Sequence, residues 1–324
     1  MSGDLGPRVA ISASKKFLQT YPDVDLVLFG DSQELSRFLP KKWQSGSRFE
    51  LVHCDDKVEM SDDPLVALRQ KKQSSMWRAI DSMSQSNISA CVSAGNTGAL
   101  LAIGRHLLKT FDGIDRPAIC KSMPVKKGYT LMLDLGANIA VSASQLYQFA
   151  LMGSVLASTE VKRPSVALLN IGSESLKGTE EIQAAQQLIS NDENLNYVGF
   201  VEANQIFWGD VNVIVCDGFH GNIALKTSEG LAQLIGDKLK SLFNGSVFGK
   251  AAALLIWPLL KNLRKEMDPA LYNGATFLGL KKVLVKSHGN ANKKAFYHAL
   301  VVAYEQAKNE TPHKIETALF QHKL

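Results

Sequence analysis

The chain has only four cysteines, Cys54, Cys91, Cys120 and Cys216, and no two of them form a CxxC pair. That spacing argues against a structural zinc site or a dithiol redox centre, and isolated thiols in apolar runs read as buried and reduced. There is no GxGxxG fingerprint and no phosphate loop ending in Gly-Lys-Ser/Thr, so neither common nucleotide motif applies. A Ser-His-Asp order, a cysteine nucleophile and an acidic metal set are also missing. No apolar run approaches the ~20 residues of a membrane span, and no secretory leader pattern opens the sequence. Neither sign of charge dominates. The formal net charge is +5, with 21% charged and 45% hydrophobic residues. This globular composition mildly favours acidic partners, such as a phosphorylated compound, an acidic protein or an anionic membrane. No nucleic-acid partner, metal or cofactor is expected.

What the chain does have is a repeated strand-turn-helix pattern. VDLVLFGD (24–31), ISACVSAGNTG (88–98), TLMLDLGAN (130–138), SVALLNIGSE (165–174), VNVIVCDGFHGN (211–222) and KVLVKSHGN (282–290) each close an apolar run with Gly, Asn or Asp. Such runs alternating with helices predict an α/β fold with a mostly parallel sheet covered by helices, read as a single α/β catalytic domain over 1–324. Ligands in such sheets sit beyond the carboxyl ends of the strands, so these turns are expected to converge on one cleft. The segment from about 232 to 270 lacks any β-run and predicts a helical protrusion that Pro258 kinks. NKKAFYHALVVAYEQAKNE predicts an amphipathic helix on the sheet.

Several turns carry chemistry. VSAGNTGAL lacks a lysine, yet Gly95, Asn96, Thr97 and Gly98 open a helix whose amides suit an anion. Alone it reads equally as an Asn- or Thr-capped helix, and caps vastly outnumber ligand sites. CDGFHGNIALK gathers Asp217, His220, Gly221, Asn222 and Lys226 after a strand, offering an acid or base, an oxyanion donor and a cation, or simply a turn with a solvated histidine. LDLGAN places Asp134 and Asn138 around a glycine, where Asp134 orders the loop by accepting N–H bonds. NIGSESLKGTEE adds Asn170, Glu174 and Lys177. DPLVALRQKKQSSMWRAID clusters Arg69, Lys71, Lys72 and Arg78 near Ser74 and Ser75, either as a basic site or as a solvated helix face.

SGDLGP, DDPLVALRQKKQSSM, VSAGNTGAL, LDLGAN, LLNIGSESLKGTE, VCDGFHGNIALKTSEG, YNGATFLGL and VKSHGNA run in order from the first residues to about residue 291. Together they resemble the bacterial phosphate acyltransferases, which convert acyl-[acyl-carrier-protein] and inorganic phosphate to acyl phosphate. The resemblance implies a homodimeric transferase of isopropylmalate-dehydrogenase/phosphotransacetylase-like fold acting in phospholipid biosynthesis. It further implies a cytoplasmic enzyme that associates peripherally with the membrane surface. Its product would pass to a membrane-bound glycerol-3-phosphate acyltransferase. The family begins with a strand running into Met-Gly-Gly-Asp. Here the chain starts at that Met, with Ser2 for the first Gly, so that strand is expected to be missing from the sheet.

Phosphate is already an anionic nucleophile, so the absence of a triad fits the implied reaction. The expected roles are phosphate binding by Gly95, Asn96, Thr97 and Gly98, charge neutralisation by Lys177, and donation to the thioester oxygen by Asn222. His220 and Lys226 are second candidates, while Asp134, Asn138, Asp217 and Gly221 line the substrate loops. The apolar residues Phe243, Val247, Phe248, Leu254, Leu255, Ile256, Trp257, Leu259 and Leu260 suit either membrane contact or dimer packing, with Lys250, Lys261, Arg264 and Lys265 beside them. Rival readings are a phosphotransacetylase for small acyl-CoA, a dehydrogenase of the same fold, and a catalytically idle membrane adaptor.

Overall fold

The structure is a computed structural model that describes residues 3–39, 43, 48–85, 88–174, 176–256, 261 and 268–321. A turn at Gly3–Gly6 enters α1 (Pro7–Thr20), followed by β1 (Leu26–Gly30), α2 (Ser32–Ser36) and β2 (Phe49–His53). Next come α3 (Pro64–Gln70), α4 (Ser75–Gln85), β3 (Ala90–Ser93) and α5 (Thr97–Leu108). The middle of the chain runs β4 (Ala118–Pro124), β5 (Tyr129–Leu133), α6 (Ala143–Ala157), β6 (Ser165–Leu169), α7 (Glu180–Ser190), β7 (Asn196–Val201) and β8 (Val213–Val215). Then α8 (Gly218–Asn244) and α9 (Val247–Leu255) lead to β9 (Ala275–Leu278), β10 (Val283–Lys286), α10 (Lys293–Lys308) and α11 (Thr311–Gln321).

Eight strands form one sheet in the order β3-β10-β9-β4-β5-β8-β6-β7, while β1 and β2 pair only with each other, in parallel. Strand residues are buried on both faces, as the near-continuous apolar runs require. Ile119, Met132, Ala167, Ile214, Phe277 and Leu284 point into the core shared with α4, α5 and α8. Leu131, Leu133, Val166, Leu168, Val213 and Leu278 face the opposite core, filled by α6, α7 and α11. The amphipathic helix expected near the C-terminus is α10. It packs on α1, with Phe17 set among the rings of Tyr21, Tyr297 and Tyr304. Helices reach the sheet closely where they lack a side chain. A Cβ on Gly104 of α5 would lie 2.5 Å from Leu284, and one on Gly153 of α6 would lie 2.6 Å from Val213.

The strand directions sort the chemistry-bearing turns into two sets. Parallel pairing joins β3 to β10, and also β5 to β8, β8 to β6 and β6 to β7. Between these blocks, β10/β9, β9/β4 and β4/β5 are all antiparallel. Three successive reversals leave β3 and β10 running opposite to β5, β8, β6 and β7. The 93–98 and 286–290 loops therefore leave one edge of the sheet, while the 134–138, 170–178 and 216–222 loops leave the other. The turns do not gather on a single edge. Helix α8 starts after β8 and reaches central strand β4, where Glu229 pairs with Lys121 at 3.0 Å.

Beyond that point α8 protrudes. From Glu229 to Ser246 every residue except Phe243 is exposed. The helix continues through a break into α9, where Phe248, Leu254 and Leu255 are more than three-quarters exposed. The expected kink at Pro258 lies outside the described residues, as do Trp257, Leu259, Leu260, Arg264 and Lys265. No helix among the described residues is long and apolar enough to cross a membrane.

The close approach of α6 yields a matched pair of outcomes. Gly153→Ala forces its methyl group against Val213 and Leu133 and should lower the unfolding free energy by about 1–3 kcal/mol. Gly230→Ala, which meets nothing within 4 Å on exposed α8, should be neutral or stabilising by up to ~1 kcal/mol. Denaturant unfolding of both variants checks the contrast.

Candidate active site

The loop after β5 is organised by one carboxylate. Asp134 is fully buried, and its two oxygens accept five N–H bonds: from the amides of Ile119, Gly136, Ala137 and Asn138, and from the Asn138 side chain. Burial pushes this carboxyl above its ordinary range against the pull of those donors. Asn138, also buried, donates its second side-chain bond to the Pro117 carbonyl at 2.9 Å. Both oxygens of Asp134 and both hydrogens of the Asn138 side-chain amide are therefore engaged within the protein. Both side chains thereby shape the loop from within the protein.

The loop after β8 is laid against this frame. Gly218 donates to the Asn138 carbonyl at 2.7 Å, and Cys216 is amide-bonded to Leu133 at 2.5 Å. Gly221 approaches so near that a Cβ would fall on the Asp134 carbonyl oxygen. Asp217 caps α8 by accepting from the His220 amide at 2.9 Å, and its other oxygen meets His220 Nδ1 at 2.6 Å. The histidine is 61% exposed. Its Nδ1 is thus oriented by a carboxylate, leaving Nε2 outward. Asn222, one turn into α8, lies over Gly136, and its amide makes no hydrogen bond among the described residues. Lys226, a turn further on, is exposed and has no ion pair among the described residues.

The loop after β6 neighbours them. Asn170 is buried and donates to the Lys177 carbonyl at 3.0 Å, packing under Gly178, whose φ of 99° suits glycine. Lys177 itself is half-exposed and pairs with Glu174 at 2.8 Å, which raises its pKa. Glu202, at the end of β7, adds to that pull and escaped the sequence reading.

At the other edge, Asn96 is the N-cap of α5 and accepts from the Ala99 amide at 3.0 Å. Its side-chain nitrogen bonds the carbonyls of Glu59, Met60 and Asp62. This side chain is a clamp on the 59–62 turn, not a ligand donor. Gly95 donates to Ser93 Oγ, and Gly98 packs so tightly on Pro64 that a Cβ would lie 2.7 Å from its ring. The backbone amides of Asn96, Thr97 and Gly98 have no acceptor among the described residues, as expected for the first turn of a helix. The basic run beside α3 is largely structural. Lys71 pairs with Asp62 at 2.6 Å and Arg78 donates to the His53 carbonyl, while Ser74 and Ser75 are buried. Arg69 and Lys72 remain exposed.

A residue missed in the sequence also stands here. Lys286 ends β10 in register with Ser93, and its ammonium donates to the Ala94 and Ser287 carbonyls. Burial draws its pKa down to about 8. The available signal was a lysine closing the apolar run VLV. Cys54, Cys120 and Cys216 are buried and Cys91 is half-buried, and burial pushes all four thiols up, Cys91 to about 12. A cavity of about 160 Å³ lies between the 205–211 segment and the sheet, and none of the expected site residues lines it.

A family model described as "Fatty acid synthesis protein" matches residues 1–314. A phosphate acyltransferase of Cellvibrio japonicus is 54% identical over 323 residues, covering 99% of this chain and 97% of the relative. One of Nitrosococcus oceani is 48% identical over 322 residues, covering 98% and 94%. Among solved structures, a phosphotransacetylase from Streptococcus pyogenes superposes with a TM-score of 0.61 at 15% identity, covering 94% of this chain and 92% of its own. A branched-chain phosphotransacylase from Enterococcus faecalis gives 0.58 at 16% identity, covering 94% and 97%. At such identities the two structures speak for the α/β fold alone.

The Asp134 cluster makes a direct prediction. Asp134→Asn must turn an NH2 group toward N–H donors, leaving buried groups unsatisfied, and should cost about 2–4 kcal/mol in denaturant unfolding. An unchanged midpoint would show that the five bonds contribute little.

Proposed function

This chain belongs to the phosphate acyltransferase family, and from that premise we propose that it converts acyl-[acyl-carrier-protein] and inorganic phosphate into acyl phosphate and free carrier protein. The observation that carries the reading is a set of unengaged donors, the amides of 96–98 and the side chains of Asn222 and Lys226, in a chain whose thiols are all shielded. Such a site suits direct attack by an anionic nucleophile rather than a covalent acyl-enzyme.

In the proposed step a phosphate oxygen attacks the thioester carbonyl carbon. A C–O bond forms, the carbonyl oxygen carries the charge of a tetrahedral intermediate, and C–S cleavage releases the carrier thiolate, which then takes up a proton. The Asn96, Thr97 and Gly98 amides hold phosphate, with the Asn96 side chain fixing the loop. Asn222 donates to the developing oxyanion, and Lys177 leaves Glu174 to neutralise charge. His220, oriented by Asp217, supplies the proton to the leaving thiolate through Nε2.

The enzyme acts in phospholipid biosynthesis, in the cytoplasm, as a homodimer. The exposed α8 stripe Leu231, Leu234, Ile235, Leu239 and Leu242 supports self-association. Phe248, Leu254 and Leu255, beside exposed Lys250, support peripheral contact with an anionic membrane, where a glycerol-3-phosphate acyltransferase takes the product.

Phosphate-dependent release of carrier thiol measures the reaction. Lys177→Ala and Asn222→Ala should each lower kcat roughly 100–1000-fold, the usual cost of losing one oxyanion donor. Near-normal turnover in either folded variant removes that residue from the mechanism. Docking of an acidic carrier on exposed Arg and Lys also predicts that added salt raises KM for the carrier substrate more than KM for phosphate. Equal increases would speak against such docking.

A further inference from the structure

We propose that Lys286 is the resident cation of the phosphate seat, its ammonium binding a phosphate oxygen beside the amides of residues 96–98. This rests on reading that loop as the seat of phosphate. Lys286 and Ser93 are register partners on adjacent parallel strands, so both deliver their following loops to one edge of the sheet. The ammonium has three hydrogens. Two go to the carbonyls of Ala94, at 3.4 Å, and Ser287, at 2.5 Å. Holding Ala94 ties the lysine to the residue that leads into the amide-bearing turn.

Its ammonium forms no ion pair among the described residues. Lys71 and Lys121, whose side chains are similarly shielded at 22% and 17% exposure, own carboxylates at 2.6 and 3.0 Å. Lys286 has no carboxylate within ion-pair distance among the described residues, and Asp4 is the acid whose charge it feels. Shielded charges are normally paired, because removing an ammonium from water without a counter-ion is costly. The neighbouring amides of Asn96, Thr97 and Gly98 likewise lack acceptors. One tetrahedral oxyanion with several acceptor oxygens satisfies both deficits at once.

Lys286→Met, Lys286→Arg and Thr97→Pro separate the possibilities, read by KM for inorganic phosphate and by the phosphate-induced shift in Tm of the full chain. Pro is suited to the first helical position and deletes only the amide of residue 97, since Asn96 is already extended with ψ of 122°. Lys286→Met should raise the phosphate KM on the order of 10- to 100-fold, as expected for a hydrogen bond to a charged group. KM for the acyl donor should stay within about twofold, Lys286→Arg should recover most of the phosphate affinity, and the Met variant should lose the phosphate-induced Tm shift. Without phosphate the Met variant should melt no lower than the wild type, because an unpaired shielded charge has been removed. An unchanged phosphate KM, a retained Tm shift, or failure of the Met variant to fold each overturns the proposal. If Thr97→Pro weakens phosphate while Lys286→Met does not, the loop remains the seat and only the lysine falls. If neither does, the reading of the loop falls too.

Discussion

The buried carboxylate of Asp134 is the constraint from which the site at the β8 edge is built. Five N–H donors converge on it from β4, from its own loop and from Asn138. Those bonds fix the carbonyls of Asp134 and Asn138, against which Gly221 and Gly218 are laid. The start of α8, and with it the direction of Asn222 and His220, is thereby set from below. A carboxylate is suited to this task because, when ionised, it accepts only, and every group around it donates.

A second constraint is strand direction, which keeps two sets of loops apart. The three antiparallel pairings made by β9 and β4 reverse the sheet at its centre, so the 93–98 and 286–290 loops leave the end opposite to the 134–138, 170–178 and 216–222 loops. The ion pair between Lys121 and Glu229 pins α8 over that centre.

Much of this was legible in the sequence. The six apolar runs closed by Gly, Asn or Asp all became strands leading into the expected turns, and the motif set identified the family. The strands β4 and β9 were not read. AICKSMP is interrupted by a lysine and closed by a proline, and ATFL is too short to show a period. Their pairing direction, which decides where loops emerge, is a tertiary property. The cap formed by Asn96 was one of two readings of its loop. That the same amide also holds three carbonyls some 35 residues away in sequence follows only from folding. Lys286 stood in plain view at the end of VLVK, but its shielding and want of a carboxylate appear only once β3 and β10 are side by side.

The treatment of cysteine gains meaning from the substrate class. Thioesters exchange acyl groups with any accessible thiolate, because the leaving and attacking sulfurs are chemically equivalent. A protein that binds such a donor with a reactive cysteine on its surface would acylate itself and divert the chain. Here every thiol is withdrawn into the core or onto a strand, and burial holds each in its protonated, unreactive form. Under the proposed thioester chemistry, the packing of Cys54, Cys91, Cys120 and Cys216 acts as chemical insulation, keeping the activated acyl group for phosphate.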